Sequence, residues 1–229
     1  MKTIGLLGGM SWESTLEYYK IINELVSKKL GGLHSAKCLL YSFDFEEVAE
    51  KQGAGKWDEL GEMLGNVAGN LEKAGADFVL ICTNTMHKVA EEVRKKISIP
   101  LISIIDVTAE EIKKKGSRKV GLLGTLFTME DGFYSEQFTK HGIETVIPKR
   151  EEREFIHNVI FNELCKGIFK DESKKKFLEI INGLIKKGAE GIVLGCTEIP
   201  LLIKQEEVEV PVFDTTEIHS RKAVELALE

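Results

Sequence analysis

FVLICTNT at residues 78–85 and IVLGCTEI at residues 192–199 are near copies of each other. Each is a short apolar run that is preceded by a Gly-Ala pair and ends in Cys-Thr. An apolar run of this length between turn residues is typical of a buried strand in a parallel sheet. Because ligands bind at the carboxyl edge of open parallel sheets, the pattern predicts that Cys82 and Cys196 lie at two equivalent binding edges.

The duplication extends over most of the chain. Ile4–Gly8 returns as residues 120–124, and residues 99–102 return as residues 210–213, in the same order and at an offset of about 111–116 residues. A period this long does not fit a solenoid and indicates two similar domains, each about half of the chain.

Strand-like runs and helical patterns alternate along both halves. The predicted strands are 4–8, 36–43, 78–82, 101–104, 119–123, 144–147, 191–195 and 212–213. The predicted helices are 15–29, 58–74, 86–96, 107–115, 128–141, 151–169, 173–187 and 216–228. This alternation predicts an α/β fold with two pseudo-symmetric domains, each a mainly parallel sheet flanked by helices. No low-complexity linker separates them, so we expect an active site in the cleft between the domains.

Composition excludes several classes of function. A chain of 229 residues with 43% hydrophobic and 30% charged residues is typical of a soluble globular protein. The net charge of −6 argues against a nucleic-acid or anionic-membrane partner. No apolar stretch reaches the ~18 residues that span a bilayer, and the first residues lack a signal-peptide profile. Four cysteines without a secreted framework or metal-ligand spacing predict a cytoplasmic protein with no metal site.

Two polar loops are candidates for ligand binding. The glycine-rich GGMSWEST at residues 8–15 matches neither a dinucleotide fingerprint nor a P-loop, although its amides can approach an anion. Ser11 or Ser14 in this loop can also be a simple helix N-cap. After Cys82, the run Thr83–Asn84–Thr85 places hydroxyls, an amide and free N–H groups around one point, which suits a carboxylate.

The cysteines divide into two kinds. Cys38 lies in an apolar run and Cys165 in a predicted helix, so both are interpreted as packing residues. Cys82 and Cys196 can also be inert core residues, but their equivalent places beside polar loops favour catalysis. Near Cys196, Glu198 is suited to accept a proton or to orient the thiol. Near Cys82, His87 either polarises the thiol or lies exposed.

Two opposed thiols suit the inversion of a stereocentre. One group removes a proton from one face of the substrate, and the other returns a proton to the opposite face. A thiol with a pKa of ~8.5 is a usable acid and, once its pKa is lowered by neighbours, a usable base. Donors around the substrate's α-carboxylate would stabilise the carbanion formed in between.

Three motifs together resemble the aspartate/glutamate racemase family, closest to its aspartate racemase-like branch. They are GGMSWEST at residues 8–15, CTNTMH at residues 82–87 and GCTEIP at residues 195–200. The resemblance covers essentially the whole chain. It implies a cofactor-independent racemase of aspartate or glutamate that works with two cysteines and is often a homodimer. It also implies that the last strand and helix return to the first domain, which gives domains of 1–98 plus 210–229 and of 99–209.

The same resemblance implies which residues line the substrate pocket. They are Met10, Gln52, Thr83, Asn84, Thr85, Lys166, Thr197 and Glu198. Of these, Gln52 and Lys166 would hold the side-chain carboxylate of the amino acid. At position 48, where some aspartate racemases use an arginine, this chain has Val48, which argues against strict aspartate specificity.

Other functions on the same scaffold stay open at this point. A decarboxylase needs only one thiol, so the pair favours racemisation. A hydantoin racemase and a maleate isomerase both remain alternatives, the latter because it also uses two cysteines, one of them as a nucleophile. A non-catalytic small-molecule binding protein is a further alternative, although it would not require two thiols.

Overall fold

The computed structural model describes residues 1–229 of the chain. The chain divides into two compact units. Met1–Ile104 and His219–Glu229 form the first unit, and Ile105–Ile218 form the second. None of the helices is long and apolar enough to cross a membrane.

The first unit is built on a four-stranded parallel sheet in the order β2-β1-β3-β4. Its strands are β1 (Ile4–Gly8), β2 (Cys38–Ser42), β3 (Phe78–Ile81) and β4 (Leu101–Ile102). Its helices are α1 (Trp12–Leu30), α2 (Phe45–Gly53), α3 (Trp57–Lys73) and α4 (Ala90–Arg94), and a 3₁₀ helix covers Thr85–Val89. Helix α5 (Ile104–Lys114) begins at the division between the units, and α11 (Thr215–Leu228) runs across it.

The second unit repeats this topology with a four-stranded parallel sheet in the order β6-β5-β7-β8. Its strands are β5 (Lys119–Gly124), β6 (Glu144–Val146), β7 (Gly191–Gly195) and β8 (Val212–Asp214). Its helices are α6 (Leu126–Glu130), α7 (Phe133–Lys140), α8 (Arg150–Asn162), α9 (Asp171–Lys186) and α10 (Ile199–Leu202), with 3₁₀ helices at Leu164–Lys166 and Gln205–Glu207. The predicted fold class, two α/β halves with parallel sheets, is confirmed.

Equivalent contacts start the central strands of both units. Before β3, the Asp77 carboxylate accepts a hydrogen bond from the Thr3 amide at 2.6 Å. Before β7, the Glu190 carboxylate accepts one from the Arg118 amide, also at 2.6 Å. Strands β1, β3 and β7 are buried throughout, because helices cover both faces of a parallel sheet. The two halves that resemble each other in sequence therefore also share the hydrogen bond that precedes their central strand.

The division into units differs from the predicted boundaries of 1–98 plus 210–229 and 99–209. Strand β4 pairs with β3 in the first sheet, whereas residue 99 was expected to open the second domain. Strand β8 pairs with β7 in the second sheet, so the last strand does not return to the first unit. The returning segment is only the part of α11 from His219 onward.

Several helical segments also differ from the predictions. Helix α2 was not predicted, because only Val48 and Gln52 are buried on an otherwise polar helix. The helix predicted over 128–141 is interrupted before α7 by Gly132, which has a φ of +81°. The helix predicted over 151–169 ends with α8, and Gly167 in the left-handed conformation closes the following 3₁₀ helix.

Candidate active site

The glycine-rich loop between β1 and α1 is fixed by its own hydrogen bonds. The Gly9 amide donates to the Thr15 hydroxyl at 2.8 Å, and that hydroxyl donates to the Ser11 carbonyl at 2.7 Å. Gly9 has a φ of +84°, and a Cβ at this position would overlap the backbone of Phe43. Ser11 is the N-cap of α1, so one of the two capping interpretations is confirmed. The loop places Met10, which is buried, after the end of β1.

Cys82 follows the last residue of β3 and is completely buried. Its amide donates to the Leu7 carbonyl of β1 at 2.9 Å, which extends the pairing of these two strands to the cysteine. Its side chain belongs to an apolar cluster that includes Ile4 and Tyr18. Burial raises the pKa of the Cys82 thiol, and the nearby Cys38 thiol raises it further. Cys82 is therefore a neutral thiol when no ligand is bound.

The three polar residues after Cys82 are buried in the turn that leads into the 3₁₀ helix. Thr83, Asn84 and Thr85 are 8%, 1% and 6% exposed. The neighbouring Gln52 of α2 points its amide at the Met86 sulfur, 3.1 Å away. Because β1 and β3 pair in parallel, Met10 and Thr83–Thr85 follow neighbouring strand ends, and Gln52 contacts Met86, the residue after Thr85.

His87 takes neither of its two predicted roles. The ring is buried, and its Nδ1 lies 2.8 Å from the Thr83 carbonyl oxygen. Its Nε2 accepts a hydrogen bond from the Ile104 amide at 3.0 Å. Both ring nitrogens thus bind backbone groups, so His87 fixes the turn after Cys82 instead of polarising the thiol or lying exposed.

Cys196 occupies the equivalent place after β7, but its surroundings are different. Its Sγ donates to the Glu198 carboxylate at 2.9 Å, and the Thr197 hydroxyl donates to the same oxygen at 3.0 Å. All three side chains are buried. Burial raises the pKa of the Cys196 thiol well above its usual range, and the Glu198 charge raises it further. The carboxylate is placed to receive the thiol proton.

We call the residues around Cys82 the first half-site and the cluster of Cys196, Thr197 and Glu198 the second half-site. Lys166 lies in the same unit as the second half-site. It is the last residue of the 3₁₀ helix Leu164–Lys166, and its side chain is exposed. The preceding Cys165 packs against the apolar cluster that contains Cys196, as expected for a packing residue. The structure therefore brings Cys196, Thr197 and Glu198 together within the second unit, whereas Lys166 is an exposed residue of the 3₁₀ helix that precedes α9.

Tyr18 and His219 are buried beside the first half-site and were missed in the sequence. The Tyr18 hydroxyl lies 2.8 Å from Nδ1 of His219 and is 201 residues away in the chain. No local motif signals such a pair, because both residues lie within helices. All four cysteines are free, and no group of three or more His, Cys, Asp or Glu side chains is arranged to hold a metal ion.

Comparisons with known proteins agree on one family. A model of the family described as Asp/Glu/hydantoin racemase matches residues 7–223. The broad specificity amino-acid racemase RacX of Bacillus subtilis is 24% identical over 224 residues, which cover 96% of each chain. A crystal structure of a candidate Asp/Glu racemase from Yersinia pestis is 48% identical, with a TM-score of 0.93 over the whole of both chains. An aspartate racemase homologue from Pyrococcus horikoshii OT3 is 43% identical, with a TM-score of 0.87 over the whole of both chains.

Proposed function

Because the chain belongs to the Asp/Glu/hydantoin racemase family, we propose that it racemises aspartate or glutamate by moving a proton at Cα between Cys82 and Cys196. The family is enzymatic and its members are isomerases, so an amino-acid racemase is the activity that family membership supports. The substrate and the two bases are the parts that this proposal adds.

One observation carries the two-base assignment. The same Cys-Thr pair follows the same strand of each four-stranded sheet, β3 in the first unit and β7 in the second. An inert core cysteine would not need a polar run beside it in both copies. Racemisation without a cofactor needs one acid/base group for each face of the substrate, and the duplicated fold supplies one thiol per unit.

The proposed reaction conserves protons. One thiolate takes the Cα proton and becomes a thiol, which leaves a carbanion. The other thiol then protonates the carbanion on the opposite face and becomes a thiolate. In the reverse direction the two groups exchange roles. Donors of the Thr83–Thr85 turn would bind the α-carboxylate and stabilise the negative charge that develops on it.

Binding of the substrate is proposed to convert one of the two thiols to a thiolate. Burial raises the pKa of both thiols, so both are protonated in the ligand-free protein at neutral pH. An amino-acid substrate brings an ammonium group, and a nearby positive charge lowers the pKa of a thiol. On the second unit, Glu198 can accept the Cys196 proton as this happens, because its oxygen is already 2.9 Å from Sγ.

The choice of an acidic substrate rests on a second carboxylate site. The Thr83–Thr85 turn can bind one carboxylate, and a dicarboxylic amino acid has two. Gln52 and Lys166 are proposed to hold the second one. Val48, buried in α2, offers no charge for it, which favours a substrate range that includes both aspartate and glutamate.

Chiral chromatography of the purified protein with single enantiomers tests the proposal. We expect L- and D-aspartate, or L- and D-glutamate, each to approach an equal mixture in a reducing buffer without added pyridoxal phosphate or metal. Maleate and a hydantoin serve as further substrates, and a Cys82→Ser/Cys196→Ser double variant measures the uncatalysed rate. A folded protein that inverts no amino acid, or that acts only on maleate or the hydantoin, would contradict the proposal.

A further inference from the structure

Two buried histidines lie between the Cys82 turn and the two places where the chain passes from one unit to the other. The first passage follows Ile104, and the second precedes His219. His87 contacts the amide of Ile104, the last residue before the first passage. His219, the first residue after the second passage, contacts the carbonyl of Ile102. Each passage is therefore held by a histidine within the first unit.

Hydrogen-bond chemistry fixes the proton on His87. A backbone amide can only donate, so Nε2 of His87 accepts the bond from Ile104. A carbonyl oxygen can only accept, so Nδ1 carries the proton and donates it to Thr83. His87 is thus a neutral bridge between Ile104 and the residue directly after Cys82.

The same reasoning fixes the opposite tautomer on His219. Its Nε2 lies 3.0 Å from the Ile102 carbonyl and must donate to it. Its Nδ1 then accepts from the Tyr18 hydroxyl at 2.8 Å. The two imidazole rings lie edge to face, with centroids 6.1 Å apart. His219 is fully buried, so the ring has no room to change orientation without breaking these bonds.

We propose that His87, His219 and Tyr18 are positioning residues that tie the turn carrying Cys82 and Thr83 to the two chain passages between the units. The proposal rests on the proposed function in so far as Cys82 is a catalytic base. None of the three is assigned a proton-transfer role. They act by holding the thiol and the carboxylate-binding turn in a fixed place.

A histidine that stays neutral can hold the Cys82 turn in a fixed place, because its hydrogen bonds do not change with pH. Burial, together with a smaller contribution from the neighbouring His87, lowers the pKa of His219 to about 3, so His219 stays neutral over the physiological range. A neutral ring keeps one donor and one acceptor, and each tautomer here uses both. Small displacements of a reacting group are costly, since a shift of about 1 Å from a remote change can reduce a rate ~10²-fold.

Kinetics of four variants test the proposal. Tyr18→Phe removes only the hydroxyl that holds His219, and His87→Leu removes both ring contacts. His87→Asn keeps a donor close to the Nδ1 position, facing Thr83. Tyr134→Phe is the matched control, because Tyr134 is also fully buried and hydrogen-bonded, to Thr108, but lies in the second unit.

We expect kcat to fall about 10–100-fold in Tyr18→Phe and His87→Leu, with KM within about 3-fold of wild type. His87→Asn should recover part of the loss, and Tyr134→Phe should keep the wild-type kcat. Equal kcat values in Tyr18→Phe and Tyr134→Phe would overturn the proposal. So would a His87→Asn protein as slow as His87→Leu.

Hydrogen–deuterium exchange provides a readout that does not depend on activity. In Tyr18→Phe, amides of residues 83–87 and of Ile104 should exchange at least about tenfold faster than in wild type, while Tyr134→Phe leaves them unchanged. Unchanged exchange in Tyr18→Phe would contradict the link even in an active enzyme. If wild type racemises no amino acid, the proposed function fails, and the exchange result still decides this inference.

Discussion

The half-sites around Cys82 and Cys196 share a fold and differ in chemistry. Cys196 donates to a carboxylate, Glu198, which stands two residues after it. The residue two places after Cys82 is Asn84, which cannot take a proton, and the Cys82 side chain packs in an apolar cluster. The duplication places the two thiols equivalently, but only Cys196 has a carboxylate beside it that can accept its proton.

A second difference lies in the strands that carry the thiols. Four residues separate Asp77 from Cys82, whereas five separate Glu190 from Cys196. The extra length appears as a five-residue β7 against a four-residue β3. The residue before Cys196 is Gly195, where a Cβ would lie 2.9 Å from the Leu123 carbonyl oxygen. Cys82 instead follows Ile81, which has a side chain, so the close approach between Gly195 and Leu123 in the second unit is not repeated with a glycine in the first unit.

Replacing either thiol should have the largest effect. Cys82→Ser and Cys196→Ser should each reduce racemisation about 10³-fold or more, because a hydroxyl is a far weaker acid than a thiol and one face loses its acid/base group. The controls are Cys38→Ser and Cys165→Ser, which should stay near wild type in a chiral assay. Near-normal racemisation in either of the first two variants would remove the two-base mechanism.

Glu198→Gln tests whether the carboxylate makes the two half-sites unequal. The amide keeps the shape of the side chain but cannot accept the Cys196 proton, so kcat/KM should fall about 10²-fold, at the lower end for general base catalysis. Glu198→Asp should retain more activity than Glu198→Gln. Adding Asn84→Asp to Glu198→Gln should not restore the rate, because that carboxylate would stand beside the other thiol. A Glu198→Gln protein within about threefold of wild type would show that Cys196 needs no internal base.

Lys166→Met tests whether the second half-site also selects the substrate. If Lys166 binds a side-chain carboxylate, kcat/KM for aspartate or glutamate should fall by ~1.5–3 kcal/mol, the range for a hydrogen bond to a charged group. Neutral amino acids should be much less affected. Lys175→Met, an exposed lysine on α9, is the matched control. Equal losses for acidic and neutral substrates would exclude Lys166 from the specificity site.

Acid sensitivity should distinguish the two units through their histidines. The folded pKa of His219 is lowered to about 3, so the unfolded chain binds more protons below pH 6.5 and stability falls as the pH falls through that window. Between pH 7 and pH 5 the loss from this group should be about 2 kcal/mol in urea unfolding. His219→Gln should flatten this dependence. His157→Gln in the second unit should change it less, since His157 is only half-buried. An unchanged slope in His219→Gln would contradict the pKa.

Long local patterns made much of the fold predictable. Strands β1 and β7 have the predicted bounds, because each is a continuous apolar run closed by a glycine. The fold class and the family resemblance are also confirmed. The placement of β4 and β8 differs because each is only two or three residues long, and its partner strand is set by tertiary pairing.

The candidate site was predictable from the sequence only where the residues that form it are close together in the chain. The Cys-Thr repeats and the place of Glu198 two residues after Cys196 follow from the sequence, and the structure adds the 2.9 Å contact between the two side chains. The contacts of His87 with Ile104 and of Tyr18 with His219 join distant segments. No local periodicity or sequence motif marks such long-range contacts, so these contacts could be identified only in the structure.

Exchange of the α-proton in deuterated water is the sharpest test of the proposal that the two units supply two different bases for opposite faces of one substrate. In Cys82→Ser and in Cys196→Ser, mass spectrometry of separated enantiomers should show deuterium at Cα without inversion. We expect each variant to label a single enantiomer, and the two variants to label opposite ones. Labelling of the same enantiomer by both variants, or of both enantiomers by either one, would contradict it.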